Sequence, residues 1–186
     1  MKECAITIVG KHCTGCEACV QCCPHHALTM EPDGEGFFYP VLREDLCTRC
    51  GLCAAICPAA SPERVPRTAL PDTALAGTYR EKSTLLSSAS GGAFSAVVAA
   101  AGPDVVYGTA WTAPDTAACI RVTPETMEPL RSSKYIQGRI HNAYLQVKQD
   151  LAEGRRVLFS GTPCQVAGLL TLLGERPAGL TTVEIV

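Results

Sequence analysis

A chain of 186 residues, 47% apolar and 18% charged with a net charge of -2, has the length of one ordinary domain or two small ones. That balance excludes a disordered tail and a strongly basic nucleic-acid binder. The longest nearly unbroken apolar run, residues 93–101, is about half of the ~20 residues a membrane helix needs. No stretch near the amino end has the length of a signal h-region, so the expected location is the cytoplasm, with no membrane span and no nucleic-acid partner.

In chain order, residues 4–9 are apolar and β-branched and predict a short strand, with Cys4 as a buried small hydrophobe. The cysteines come next. Ten of the twelve lie between Cys4 and Cys57, and in a chain without an export signal such density favours metal binding or catalysis over a disulfide framework. CTGCEACVQCCP, from Cys13, and CTRCGLCAAICP, from Cys47, agree at six of twelve positions and lie 34 residues apart. Each carries the spacing C-x2-C-x2-C-x3-C-P, the two-cluster ferredoxin run in which the fourth cysteine of each copy ligates the other cluster. The expected ligands are Cys13, Cys16, Cys19 and Cys57 for one 4Fe-4S cluster, and Cys47, Cys50, Cys53 and Cys23 for the other. Zinc also uses C-x2-C pairs, but two tandem runs of this kind are not its usual spacing. Cys22, in register with Ile56, is expected to be a packed thiol. His12, His25 and His26 flank the first run and are expected at the surface.

Residues 27–31 and 37–41 predict strands joined by a turn at Pro32, Asp33 and Gly34. Residues 61–82 form a Pro-rich linker, after which the pattern changes to longer elements of α/β type. Serines and glycines at 87–92 open an alanine-rich helix over 93–101. The glycines there suit either close approach of a phosphate or packing against a sheet. Residues 104–111 and 117–122 predict strands joined at Pro114 and Asp115. Ile140, Tyr144, Val147 and Leu151 mark an amphipathic helix ending at Gly154. A short strand at 157–159 leads to Thr162 as N-cap, Pro163 at N1 and Gln165 at N3 of a helix that stops at Gly174, followed by a strand over 180–186. The unit predicts two parallel strands, with ligands expected at their carboxyl ends, where residues 160–164 fall. At a helix start Cys164 gains thiolate character and qualifies as a reactive thiol or metal ligand; the alternative is a cysteine buried near a sheet.

Three stretches, SSASGGAFSAVV from Ser87, RSSKYIQG from Arg131 and VLFSGTPCQVAGL from Val157, together with the cysteine repeat, resemble the coenzyme F(420) hydrogenase/dehydrogenase beta-subunit family. The resemblance implies an α+β ferredoxin-like two-cluster module over residues 1–60, then a partial α/β domain over 83–186. It implies an iron–sulfur flavoprotein oxidoreductase that passes electrons between two 4Fe-4S clusters, a bound FAD and a deazaflavin, coenzyme F(420), or another organic substrate. Its redox partner is a protein or a small-molecule electron donor or acceptor. Ser90, Gly91, Gly92, Ser133, Lys134, Tyr135, Gly161, Thr162 and Pro163 become candidates for the flavin and substrate cleft, and Cys164 for the redox step. Members of the family continue beyond the point matching Val186, so the expectation is a truncated chain, with FAD held by the full-length protein. The rival from another class is a ferredoxin-type electron carrier whose second part only docks a partner.

Overall fold

The computed structural model describes residues 2–66 and 73–186. The linker expected at 61–82 lies partly outside the described residues; the rest of it holds a 3-10 turn at Pro62–Arg64 and the start of a helix at Lys82–Leu86.

The amino-terminal part is built from three five-residue helices and one hairpin. Helix α1 spans Ala5–Val9, where the sequence predicted a strand. The correction has a packing cause. Among the described residues no strand pairs with residues 4–9, and a helix turn buries Ala5 and Val9, four positions apart, on one side. Tertiary packing here overrides the β-branched propensity of the segment. Helices α2, Ala18–Cys22, and α3, Leu52–Ile56, are the same element in the two copies of the repeat. Strands β1, Leu28–Pro32, and β2, Phe38–Leu42, pair antiparallel, each one residue later than the sequence predicted. The Asp33 carboxylate closes their turn by accepting the N–H groups of Glu35 and Phe37, both at 2.9 Å.

The second part is a five-stranded sheet. Helices α4, Lys82–Leu86, and α5, Ala93–Ala101, precede β3, Val105–Ala113, and β4, Thr116–Val122, an antiparallel hairpin. The two-residue β5, Gly138–Arg139, leads to α6, Ala143–Ala152; then come β6, Val157–Gly161, α7, Pro163–Leu173, and β7, Leu180–Glu184. The strand order is β5-β4-β3-β6-β7, with β6 parallel to β7, as the crossover predicts, and also to β3. Side-chain alternation splits the core in two. Val105, Tyr107, Val157 and Phe159 face α6 and α7, and Val106, Ala110 and Leu158 face α5.

The amino-terminal part packs on the α6/α7 face. Cys16, Ala18 and Ile56 share one buried cluster with Tyr144, Val147, Val166 and Leu169. The whole is a mixed α/β structure with two sheets, whose cysteine-rich part lies against the helical layer of the larger one. Among the described residues no helix is long and apolar enough to cross a membrane.

Candidate metal centres

The eight repeat cysteines gather around two hollows. The first is lined by Cys13, Cys16, Cys19 and Cys57, with Ala5, Ile6 and Val9 of α1 over it. The second is lined by Cys47, Cys50, Cys53 and Cys23. The fourth cysteine of each copy thus stands with the first three of the other. In each copy two thiols come from a loop and the third from the start of a one-turn helix, and that helix carries the fourth across.

The repeat extends to the backbone. Gly15 and Arg49 occupy equivalent positions and both have positive φ, 67° and 53°. Glu17 and Gly51 do so again, at 63° and 80°, as the residues flanking α2 and α3. These left-handed turns coil each loop around its hollow and turn backbone N–H groups towards sulfur. Gly15 and Ala18 hydrogen-bond Cys13 and Cys16 through their backbones. The N–H groups of Ala27 and Ala5 donate to Cys23 and Cys53 sulfurs at 3.4 Å.

Burial pushes the Cys16 thiol up to about 12 and the Cys19 thiol higher still. Crowded, desolvated thiols of this kind are stabilised by cations that take them as thiolates. Among the described residues no three His, Cys, Asp or Glu side chains converge on a point that one metal ion could occupy. Four thiols spaced around a hollow fit a polynuclear cluster better than a single zinc.

Residues 12–61 match the 4Fe-4S dicluster domain family. The match supports iron–sulfur electron transfer by this segment. A search of curated proteins finds no match.

The remaining cysteines divide by environment. Cys22 donates to the Cys19 carbonyl at 3.3 Å, and burial raises it to about 12, in keeping with a packed thiol. Cys4 is buried, and its sulfur lies 3.5 Å from that of Cys53; burial pushes it up to about 11. Cys119 sits within β4, raised to about 12 by burial. Cys164 takes its predicted place in the first turn of α7, where its sulfur is 3.2 Å from the Thr162 hydroxyl. It is near enough to the first hollow for its charge to act on Cys13 and Cys16. His12, His25 and His26 are exposed.

The three stretches behind the family resemblance are stitched together. Ala89 N–H donates to the Arg131 carbonyl at 3.1 Å, and Arg131 Nη1 to Ser87 Oγ at 2.9 Å. Gln165 Nε2 donates to the Gly138 carbonyl at 3.0 Å, linking the second stretch to the third. Within them, Ser90 has φ 56° and Gly92 precedes α5. Gly91 lies so close to the Gly77 carbonyl that a Cβ would stand 2.6 Å from it. Ser133 and Tyr135 are exposed, and Lys134 Nζ donates to the Pro129 carbonyl at 2.7 Å. Gly161 is buried at the end of β6, with Thr162 and Pro163 exposed beside it.

Residues that join the two parts were not foreseen. The buried Glu17 carboxylate receives Arg139 Nε at 2.7 Å and the N–H groups of Ile140 and His141 at 2.9 and 3.1 Å. Gln137 brackets the Phe38 backbone, accepting its N–H and donating to its carbonyl, while the Arg139 guanidinium lies 4.1 Å above the Phe38 ring. Tyr144 Oη lies 2.8 Å from the Cys16 carbonyl and 2.9 Å from that of Gln165. Thr171 Oγ1 donates to the Ile56 carbonyl at 2.6 Å. A signal did exist in the mismatches of the repeat. Gly15 faces Arg49, and Glu17 faces Gly51; a Cβ at Gly15 would strike Gln137, and Glu17 reaches Arg139. The copies differ where one of them touches the sheet.

Proposed function

We propose that the protein is an iron–sulfur flavoprotein oxidoreductase in which Cys13, Cys16, Cys19 and Cys57 hold the 4Fe-4S cluster nearest the organic cofactor, and Cys47, Cys50, Cys53 and Cys23 the cluster nearest the external redox partner. The observation that carries this reading is the seating of α7 against the first hollow. A Cβ at Gly168 would stand 3.3 Å from Cys16 Sγ, one turn beyond Cys164. The carboxyl end of β6, the usual ligand position in a parallel sheet, is therefore the part of the sheet next to that hollow. Ser90, Gly91, Gly92, Ser133, Lys134, Tyr135, Gly161, Thr162 and Pro163 are the cleft candidates, and hydrogen bonds at Ser87, Ala89, Arg131, Gly138 and Gln165 link the three stretches that carry them. Cys164 is the candidate redox thiol. The clusters would supply single-electron transfer, and a flavin would pair two electrons for an organic substrate. FAD is the flavin proposed, with coenzyme F(420) or another two-electron acceptor as substrate.

The test, on the full-length protein, is the visible spectrum and the released flavin after anaerobic reconstitution with iron, sulfide and FAD, followed by reduction through the clusters. Flavin bound in proportion to protein, and reduced more slowly in Cys164→Ser than in Cys119→Ser, is the expected result. Clusters without flavin would favour the second reading, a ferredoxin-type electron carrier whose sheet docks a partner. One observation supports that alternative: Gly91 is packed against the chain's own backbone at Gly77, and Gly92 against the side chains of Tyr79 and Ser88.

A further inference from the structure

The second hollow contains one thiol more than a four-iron cluster requires. Cys4 lines it together with Cys23, Cys47, Cys50 and Cys53. It is 93% buried, and its sulfur is in contact with that of Cys53 at 3.5 Å. The next backbone N–H, from Ala5, donates to the same Cys53 sulfur at 3.4 Å, so the start of α1 is fixed over this one cysteine. Cys22 makes the contrast. It lines neither hollow, and its thiol is engaged with a backbone carbonyl of its own helix.

We propose that Cys4 is a reserve ligand of the second cluster, replacing Cys53 when that thiolate is lost. The proposal rests on the reading that this hollow holds a 4Fe-4S cluster. The exchange is redox-neutral. The iron–sulfur bond to Cys53 breaks, one to Cys4 forms, and the proton leaving Cys4 passes to the Cys53 sulfur, or to solvent where residue 53 carries no thiol. The two sulfurs are in van der Waals contact, so an iron bonded to one lies within a side-chain rotation of the other. Loss of one ligand then leaves the cluster with four.

The test compares wild type, Cys4→Ala, Cys53→Ala and Cys4→Ala/Cys53→Ala after anaerobic reconstitution with iron and sulfide. Iron and acid-labile sulfide are counted, and EPR spectra are recorded on the reduced proteins. Each single variant is expected to keep about eight iron per chain, with an altered second-cluster signal in Cys53→Ala. The double variant is expected to fall to about four iron, or about seven if a three-iron cluster survives. Cys4→Ser/Cys53→Ala should regain a second cluster with an EPR signal shifted by oxygen ligation. Equal loss in Cys53→Ala and the double variant, whether through failed assembly or failed folding, overturns the proposal. Wild type with only about four iron overturns the two-cluster reading and the proposal with it.

Discussion

Glu17 is a carboxylate without access to water, held by a guanidinium and two backbone N–H groups that belong to a segment more than 120 residues away in sequence. Its removal would leave a mostly buried Arg139 charge and two unanswered donors. Glu17→Ala should therefore lower stability by about 3–5 kcal/mol, measured by urea unfolding, and Arg139 side-chain truncation should cost a similar amount. A second buried carboxylate gives a pH dependence. Burial pulls Asp150 upward, but hydrogen bonds from Arg121, Tyr107 and Arg155 outweigh it and hold the group at about 2. The folded value lies below the unfolded one, near 3.9, so the stabilisation is complete above about pH 4 and lost as pH falls through the folded value. The difference in urea midpoint between wild type and Asp150→Asn should shrink between pH 7 and pH 3. The cysteine quartets are legible from spacing because three of each set of four lie within a few residues. Glu17 and Asp150 are not, because their partners are supplied by the fold.

Short elements in this protein take their conformation from what they touch. Helix α7 is legible in advance because its start is a local device: the Thr162 backbone N–H donates to Gln165 Oε1 at 3.0 Å while its side chain answers the N–H of residue 165. Thr162→Ala should cost about 1 kcal/mol by thermal or urea unfolding. Helix α1 is not legible, since five apolar residues carry no period long enough to separate helix from strand, and the surface they cover is formed by distant cysteine loops. The contact between α2 and α7 depends on Gly168. A methyl group there would meet Tyr144 Oη at 3.1 Å and both Ala18 Cβ and Cys16 Sγ at 3.3 Å, none at the free end of a flexible chain. Gly168→Ala should destabilise by about 1–3 kcal/mol and speed iron release from the first cluster ahead of the second, followed by the decay of each EPR signal.

At the scale of the whole molecule, the cysteine-rich part and the sheet share one buried cluster, and Cys16, which lines the first hollow, belongs to it. The crossing of the fourth cysteines gives a direct test. Cys57→Ala should abolish the EPR signal of the cluster held by Cys13, Cys16 and Cys19 and spare that held by Cys47, Cys50 and Cys53; the reverse loss would show that each copy serves itself. The antiparallel hairpin, the parallel β6 and β7 and the repeat are all readable from periodicity and spacing. The face on which the two parts meet becomes visible only when the copies are superposed and their mismatches at residues 15 and 17 are seen to lie together.

The crossing also imposes an order in time. A chain growing from its amino end presents Cys13, Cys16 and Cys19 early, but the first hollow has no fourth wall until Cys57 has been made; the second, with Cys23 already in hand, has all four once Cys53 appears. Neither copy has a full set by itself, and nascent chains halted between the two repeats should take up iron no better than the same halted chains with Cys13, Cys16 and Cys19 replaced by alanine. Cluster insertion would thereby be postponed until most of the repeat has been synthesised, and the hollow beside α7 would be the last to gain its full set of thiols.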